Sequence, residues 1–201
     1  MNRIALSFTL LAAAVFPLTA QAPATPSNRW GADPAHSAVA FRVRHLGITW
    51  INGTFGQWTA DLSYDPNNPE AASVTARIQT ATVTTGNERR DGDLRANYLA
   101  ADSFPEITFI SKRVERAGDG RLRITGDLTL RGVTHSVVLD TEVGGVLATP
   151  RGRRTAFSAT TTVKRQDYGI TLNRFMEGAQ VVGDDVRITI DIEAIERTTT
   201  P

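Results

Sequence analysis

The sequence predicts an all-β protein, an antiparallel barrel of eight or slightly more strands with one short helical excursion. Three observations support this prediction. About eight segments alternate apolar and polar residues with a period of two, and no long helix is convincing. The connections between these segments are short, which favours antiparallel neighbours. Several strands reach nine or more residues, whereas an ordinary strand has roughly five or six.

The length of the strands favours a closed barrel over a sandwich of two sheets. Both architectures produce the same alternation, so periodicity alone leaves both open. Closure removes exposed strand edges, and an eight-stranded barrel has an interior that side chains can fill or that can hold one small ligand.

The N-terminal segment is predicted to be a signal peptide that is absent from the mature protein. A short positive segment, Asn2-Arg3, precedes an apolar stretch from Ile4 to Phe16, and small residues follow, which is the pattern of a secretory signal peptide. We therefore expect an exported protein. The predicted division of the chain is a signal peptide at 1–22 with cleavage between 20 and 24, a flexible leader at 23–28, a β-barrel domain at 29–195 and a polar tail at 196–201.

The composition argues against several classes of protein. The 201 residues include 22 Lys and Arg and 21 Asp and Glu, for a net charge of +1, and such a balance gives no electrostatic footprint for nucleic acid. Cysteine is absent, so the core alone must hold the fold. After the signal, no stretch approaches the roughly 20 apolar residues of a membrane-spanning helix, so we expect no transmembrane segment in the mature protein.

The first long strand is predicted over Ser37 to His45. Its alternation places Val39, Phe41, Val43 and His45 on one face, and this face is apolar except for His45. Two interpretations of His45 stay open: contact with the polar head of a ligand, or a core histidine bonded to a backbone carbonyl.

The remaining elements follow from the same alternation and from turn chemistry. The stretch from Gly86 to Leu99 is densely charged and has no period of two, so we predict a short helical or irregular excursion across the barrel. Long loops or returns are expected at Gly144 to Arg154 and at Gly169 to Gly178. The other predicted strands are Gly56 to Tyr64, Ser73 to Thr84, Glu106 to Val114, Arg121 to Leu130, His135 to Val143, Thr155 to Arg165 and Val181 to Ile195.

An ordered set of short motifs resembles the YceI-like family of exported bacterial proteins. Each motif is weak alone, but together they follow the order of the family over roughly Arg29 to Glu193. The matching pieces are Trp30, Asp33 and His36-Ser37; Val39, Phe41, Val43 and His45; Gly53-Thr54-Phe55; Asn87, Arg90-Asp91 and Leu94; Phe104 to Phe109; Gly126 to Thr134; and Gly183-Asp184-Asp185-Val186.

This resemblance implies a lipocalin-like barrel in the periplasm, with an elongated apolar cavity for a polyisoprenoid or similar long-chain amphiphile. No cofactor is expected other than a bound isoprenoid or quinone-like lipid, and a homodimer is left open. The apolar faces of the strands supply the candidate residues for the wall of the cavity, with His45 as the candidate for the head group: Val39, Phe41, Val43, His45, Ile78, Leu128, Phe157 and Ile188.

Two other classes of function compete with lipid binding. An enzyme is disfavoured because the chain has no nucleophile elbow, zinc-protease motif, phosphate loop or cysteine. The histidines, His36, His45 and His135, have no spacing typical of a zinc site, and we predict no metal. The second rival is an extracytoplasmic stress or interaction scaffold, whose barrel would be filled by its own side chains.

Overall fold

The computed structural model describes residues 28–172, 175–176 and 179–197. It contains one short α-helix, α1 at Glu88–Asp93, and a π-helical turn at Leu94–Tyr98. The strands are β1 Arg29–Ala32, β2 Ala38–His45, β3 Thr49–Phe55, β4 Trp58–Ser63, β5 Ser73–Gln79, β6 Val83–Thr84, β7 Glu106–Arg116, β8 Arg121–Leu130, β9 Val133–Val143, β10 Leu147–Thr149, β11 Gly152–Lys164, β12 Phe175–Met176, β13 Ala179–Gln180 and β14 Val182–Glu196.

Eight strands form a closed antiparallel barrel, as the sequence predicts. Their order is β11-β9-β8-β7-β5-β4-β1-β14, and the pairing of β14 with β11 closes the ring. Strands β2, β3 and β6 extend the sheet from β14, and β10 pairs with the start of β11. We call the end that carries the β2–β3 and β8–β9 turns the upper end, and the end that carries Trp30 the lower end.

Strand β14 connects three other strands. One edge pairs with β11 from Arg154↔Ile195 to Lys164↔Asp185. The other edge pairs with β1 near the lower end and with β2 further up, because a short 3-10 helix at Pro34–His36 separates these two strands. The Ser37 hydroxyl holds this break against β14, since it accepts from the Glu193 N–H at 2.9 Å.

The lower end is packed around Trp30, which is only 1% exposed. Its indole Nε1 donates to the backbone carbonyl of Tyr64 at 2.8 Å, and the Tyr64 ring meets Phe157 edge to face at 5.1 Å. Leu122, Ile192 and Ala194 belong to the same cluster. A second cluster fills the wall higher up and includes Ile107, Phe109, Leu128, Leu139, Ala159, Val163 and Tyr168.

Two connections shape the upper end, and the second confirms a prediction from the sequence. The turn between β8 and β9 has Arg131 at φ 54° and Gly132 at φ 74°, the left-handed pair of a tight two-residue hairpin turn. The excursion is present as α1 and the π-helical turn after it.

Other boundaries differ from the predictions. The predicted loop Gly144 to Arg154 contains β10, which forms a small hairpin with the first residues of β11. The predicted strand Ser73 to Thr84 is interrupted by a 3-10 helix at Thr80–Thr82. The predicted return at Gly169 to Gly178 includes β12, which pairs with β13, and its residues 173–174 and 177–178 lie outside the described residues. The predicted signal peptide also lies outside them.

The wall of the barrel has one unpaired stretch. Pairing of β1 with β4 ends at Gly31↔Asp61, and pairing of β2 with β3 begins only at Ala40↔Thr54. Between them, the Gly56 N–H donates to the Thr82 carbonyl at 3.1 Å instead of to β2. An outer pocket of about 730 Å³, with a lining of both polar and apolar residues, lies at this stretch.

Candidate functional site

An apolar cavity of about 230 Å³ runs through the barrel. Its wall extends from Tyr64 and Leu122 near the lower end to Leu130 and Val182 near the upper end. Seven of the eight residues predicted from strand alternation line it: Val39, Phe41, Val43, Ile78, Leu128, Phe157 and Ile188.

Among the described residues, those that line the cavity do not include His45. It lies on the same face of β2 as Phe41 and Val43, and it pairs with Val182, which does line the cavity. The difference arises because His45 is the last residue of β2, directly before the turn at Leu46 and Gly47. His45 therefore belongs to the upper rim, beyond the apolar wall.

The cavity is narrow for its length. Pockets for drug-sized ligands commonly enclose about 300–1,000 Å³, whereas this one has about 230 Å³ although it contacts both core clusters. A long and narrow apolar space matches the shape of an extended hydrocarbon chain better than that of a compact ring system.

The excursion covers the cavity from above, which strand alternation could not predict. Leu94, Tyr98 and Leu99 all line the cavity, and Tyr98 is only 7% exposed. Leu94 and Tyr98 are four residues apart, which places them on one side of a helical turn. That spacing is the signal in the sequence from which these contacts could have been inferred.

Two charged residues hold this cover in place. The Asp91 carboxylate accepts from the Thr84 hydroxyl at 3.0 Å and from the Thr85 N–H at 2.8 Å, and it also accepts from the Thr85 hydroxyl. Arg90 donates from Nε to the Thr85 hydroxyl at 2.6 Å and from Nη2 to the Thr85 carbonyl at 3.1 Å. The pair thus fixes α1 to the end of β6.

The hydrogen bonds to Asp91 also set its charge. Burial acts to raise the pKa of this carboxyl, but the hydrogen bonds from Thr85 and Thr84 outweigh burial and keep the pKa below its usual value. The unfolded chain therefore binds a proton at higher pH than the folded protein does. Stability from Asp91 is complete above about pH 4 and is lost as the pH falls through the folded pKa.

We expect Asp91→Asn to lower the free energy of unfolding by about 1–3 kcal/mol at neutral pH, because the amide presents a donor to groups that need an acceptor. The difference from the parent protein should shrink as the pH falls below about 4. Urea unfolding of both proteins at neutral and acidic pH measures this. Asp93→Asn, the same change two residues later, is the control, and equal losses for both variants would contradict the role of Asp91.

Arg165 is the charged exception on the cavity wall. It is 3% exposed and lines the cavity near Val182. Its guanidinium donates to the backbone carbonyls of Gly183 at 3.0 Å and Val182 at 3.2 Å, and it also donates to those of Ile170 and Leu172. These bonds join the end of β11 to the start of β14, so we assign Arg165 a structural role at the upper end.

Tyr168 is a buried polar residue next to this end. It is 2% exposed, its ring meets His135 edge to face at 5.1 Å, and its hydroxyl has no hydrogen-bond partner among the described residues. Burial, with a smaller effect from Asp167, raises the pKa of Tyr168 to about 12. The hydroxyl therefore stays protonated over the physiological range of pH.

The histidines have separate local partners. His36 bonds to the Asp33 carboxylate at 3.1 Å, which holds the pKa of Asp33 below its usual value. His135 donates to the Asp167 carbonyl at 3.0 Å. Among the described residues, Asp33, His36 and Glu193 place three metal-type donor atoms within 4.8 Å of one another. The Arg154 guanidinium already bridges both carboxylates there, so it offsets part of their negative charge.

The outer pocket at the unpaired stretch borders the cavity. Val39, Phe55, Trp58 and Thr59 line both spaces. The outer pocket also has polar residues: Glu106 accepts from Gln79 at 3.0 Å and from Arg77 at 3.3 Å.

No helix among the described residues is long and apolar enough to cross a bilayer. The described excursion and 3-10 turns are all short.

Comparison with known proteins agrees with the barrel fold. Residues 30–194 match the YceI-like domain. Protein YceI of Salmonella arizonae is 36% identical over 164 residues, which cover 81% of this chain and 83% of that protein. The crystal structure of the Campylobacter jejuni YceI protein has a TM-score of 0.66 and 31% identity over 77% of this chain and 90% of that one.

A third similar protein is a polyisoprenoid-binding domain from Saccharophagus degradans, with a TM-score of 0.67 and 17% identity over 84% of this chain and 98% of that domain. At this identity the likeness concerns the fold. The match over residues 30–194 and the relatives above 30% identity establish the family as well as the fold: the chain belongs to the YceI-like family.

Proposed function

We propose that this protein is an exported, periplasmic lipid-binding protein that sequesters or carries a polyisoprenoid or similar long-chain amphiphile inside its barrel, without catalysis. The observation that carries the proposal is the narrow apolar cavity that runs through the barrel. The polyisoprenoid-binding domain of similar fold supports the choice of ligand class. The predicted signal peptide supports export.

The energetics favour a hydrocarbon chain in this space. Each buried methylene contributes about 0.8 kcal/mol, so several isoprene units give a large gross transfer free energy before the costs of ordering are subtracted. Apart from Arg165, which is engaged by backbone carbonyls, the wall offers uncharged side chains. The wall therefore favours ligands with a long apolar chain.

An open cavity also separates this proposal from the scaffold alternative. A scaffold needs only a stable barrel, and such a barrel is most stable when its own side chains fill the interior. Here the interior retains free volume along the barrel. The direct test is mass spectrometry of organic extracts from the purified exported protein. A stoichiometric long-chain isoprenoid or related lipid is expected, and extracts without lipid would favour the scaffold.

We place the polar end of the ligand at the upper rim near His45. The histidine lies one step beyond the apolar wall and pairs with Val182, which belongs to that wall. A head group that leaves the apolar space at this end would meet the imidazole first along β2.

His45→Ala is expected to broaden the set of head groups that copurify, while the total amount of bound lipid changes less than about two-fold, because the methylenes of the chain supply most of the affinity. Mass spectrometry of extracts reports both quantities. His135→Ala removes a second upper histidine, whose ring is occupied by the Asp167 carbonyl, and serves as the matched control. If His45→Ala copurifies the same set of head groups as the parent protein, the head group of the ligand does not lie at this rim.

A further inference from the structure

The outer face of the upper end carries a cluster of three arginines around one indole. We call it the Trp50 cluster, and it consists of Trp50, Arg42, Arg44 and Arg187. The guanidinium carbons of Arg42, Arg44 and Arg187 lie 4.8, 4.1 and 4.8 Å from the centre of the indole ring. Arg42 and Arg187 are exposed and directly opposite each other on β2 and β14.

This arrangement is electrostatically unfavourable without an anion. Like charges directly opposite each other on neighbouring strands repel, and the indole face compensates only part of that repulsion. None of the ion pairs among the described residues includes these three arginines. Asp185, the nearest acid along β14, faces Lys164 of β11.

Elsewhere on the barrel, most arginines on the strands have acidic partners. Arg121 pairs with Glu142 at 3.4 Å and Arg123 with Asp140 at 3.7 Å, both across β8 and β9. Others that pair with carboxylates are Arg77, Arg113, Arg116, Arg153 and Arg154. The Trp50 cluster therefore departs from the pattern of the rest of the surface, and the net charge of +1 for the whole chain makes it a local feature.

An exposed apolar residue lies at the tip next to the cluster. Ile48 is 77% exposed in the turn between β2 and β3. Arg44 donates to the Ile48 carbonyl at 3.2 Å, so the cluster and the tip form one continuous surface. An exposed isoleucine, an indole and a group of arginines are the components with which proteins bind an anionic lipid surface: the apolar tip inserts, the indole lies at the headgroups and the arginines meet phosphates.

We propose that the Trp50 cluster and Ile48 form a docking surface for an anionic phospholipid bilayer. This surface lies at the upper end, where the excursion covers the cavity, so docking brings the covered end of the barrel to the lipid phase. The inference depends on the outer wall alone and stands whatever the cavity holds. Binding should be electrostatic in part, because the Debye length falls from about 10 Å at 0.1 M salt to about 3 Å at 1 M.

Vesicle cosedimentation tests this proposal with the purified protein. Vesicles of phosphatidylglycerol and phosphatidylcholine in equal parts should bind the protein at low salt and release it at high salt, and vesicles of phosphatidylcholine alone should bind it weakly. An arginine near an anionic membrane contributes about five-fold in affinity. The triple variant Arg42→Gln, Arg44→Gln, Arg187→Gln should therefore bind on the order of 100-fold more weakly.

A matched triple variant controls for total charge. Arg113→Gln, Arg121→Gln, Arg123→Gln removes the same three charges from exposed positions on β7 and β8, and its affinity should change less than about three-fold if location decides. Equal losses for both triple variants, or no binding of the parent protein to the anionic vesicles, would overturn the proposal.

A single change at the tip keeps the test independent of strand stability. Ile48→Gln alters a turn residue and should weaken binding to the anionic vesicles several-fold, since the apolar tip no longer inserts. Leu147→Gln, at another apolar residue that is 64% exposed but lies in the lower hairpin of β10, is its control. Unchanged binding for Ile48→Gln, or equal weakening by Leu147→Gln, would show that Ile48 does not insert.

Discussion

Val137→Trp is expected to remove most of the lipid that copurifies with the protein, whereas Val138→Trp should leave it unchanged. The two valines are neighbours on β9, but Val137 lines the cavity and Val138 is 39% exposed on the outer face. Val137 pairs with Gly126 of β8, and the Phe109 ring already covers Gly126, so an indole at position 137 would extend into the cavity. With about 230 Å³ available, it would interrupt the space that a continuous hydrocarbon chain needs.

The measurement is the molar ratio of extracted lipid to protein for the parent and both variants. Overpacking costs about 1–3 kcal/mol of stability, so thermal unfolding must show that Val137→Trp is still folded under the conditions of purification. If both variants retain as much lipid as the parent, the lipid does not occupy the barrel and the proposed function fails.

Trp30→Ala is expected to lower the free energy of unfolding by about 3–5 kcal/mol, enough to unfold a marginally stable domain. The indole is 1% exposed, packs against Tyr64 and donates to the Tyr64 carbonyl. Its removal leaves a cavity at the lower end and a buried carbonyl without its donor. With no cysteine in the chain, no disulfide can compensate for the loss.

Trp50→Ala is the control for residue type. Trp50 lies on the outer face under the arginines of its cluster, so truncation should cost no more than about 1 kcal/mol. Denaturant unfolding of both variants gives the comparison. Similar losses for Trp30→Ala and Trp50→Ala would mean that the lower cluster does not anchor the barrel.

Strand alternation predicted the wall of the cavity because a strand turns successive side chains to opposite faces. A correct strand with the correct parity therefore placed Phe41, Ile78 and Ile188 inside without any knowledge of strand order. The same rule placed His45 on the inner face of the strand but could not show that β2 ends at this residue. Only the turn at Leu46 and Gly47 removes it from the wall.

Other features depend on contacts between distant parts of the chain. The break between β3 and β4 exists because Gly56 and Gln57 bond to residues of the 3-10 helix at Thr80–Thr82, and no local pattern shows that partner. The excursion over the cavity also depends on such contacts. Its dense charge predicted an excursion, but its attachment to the barrel requires hydrogen bonds from Thr84 and Thr85 to Asp91. The Trp50 cluster combines the consecutive strands β2 and β3 with β14, which is far from them in sequence.

The position of β14 in the chain has a consequence for the order of folding. This strand joins β11 to both β1 and β2, yet it is the last of the described strands to be synthesised, and its contact Trp30↔Glu196 spans nearly the whole domain. Such distant pairings make folding slow because the loop must close before the contact is gained. A growing chain that ends before Val182 lacks the strand that closes the ring, so the barrel can close only after synthesis of its final strand.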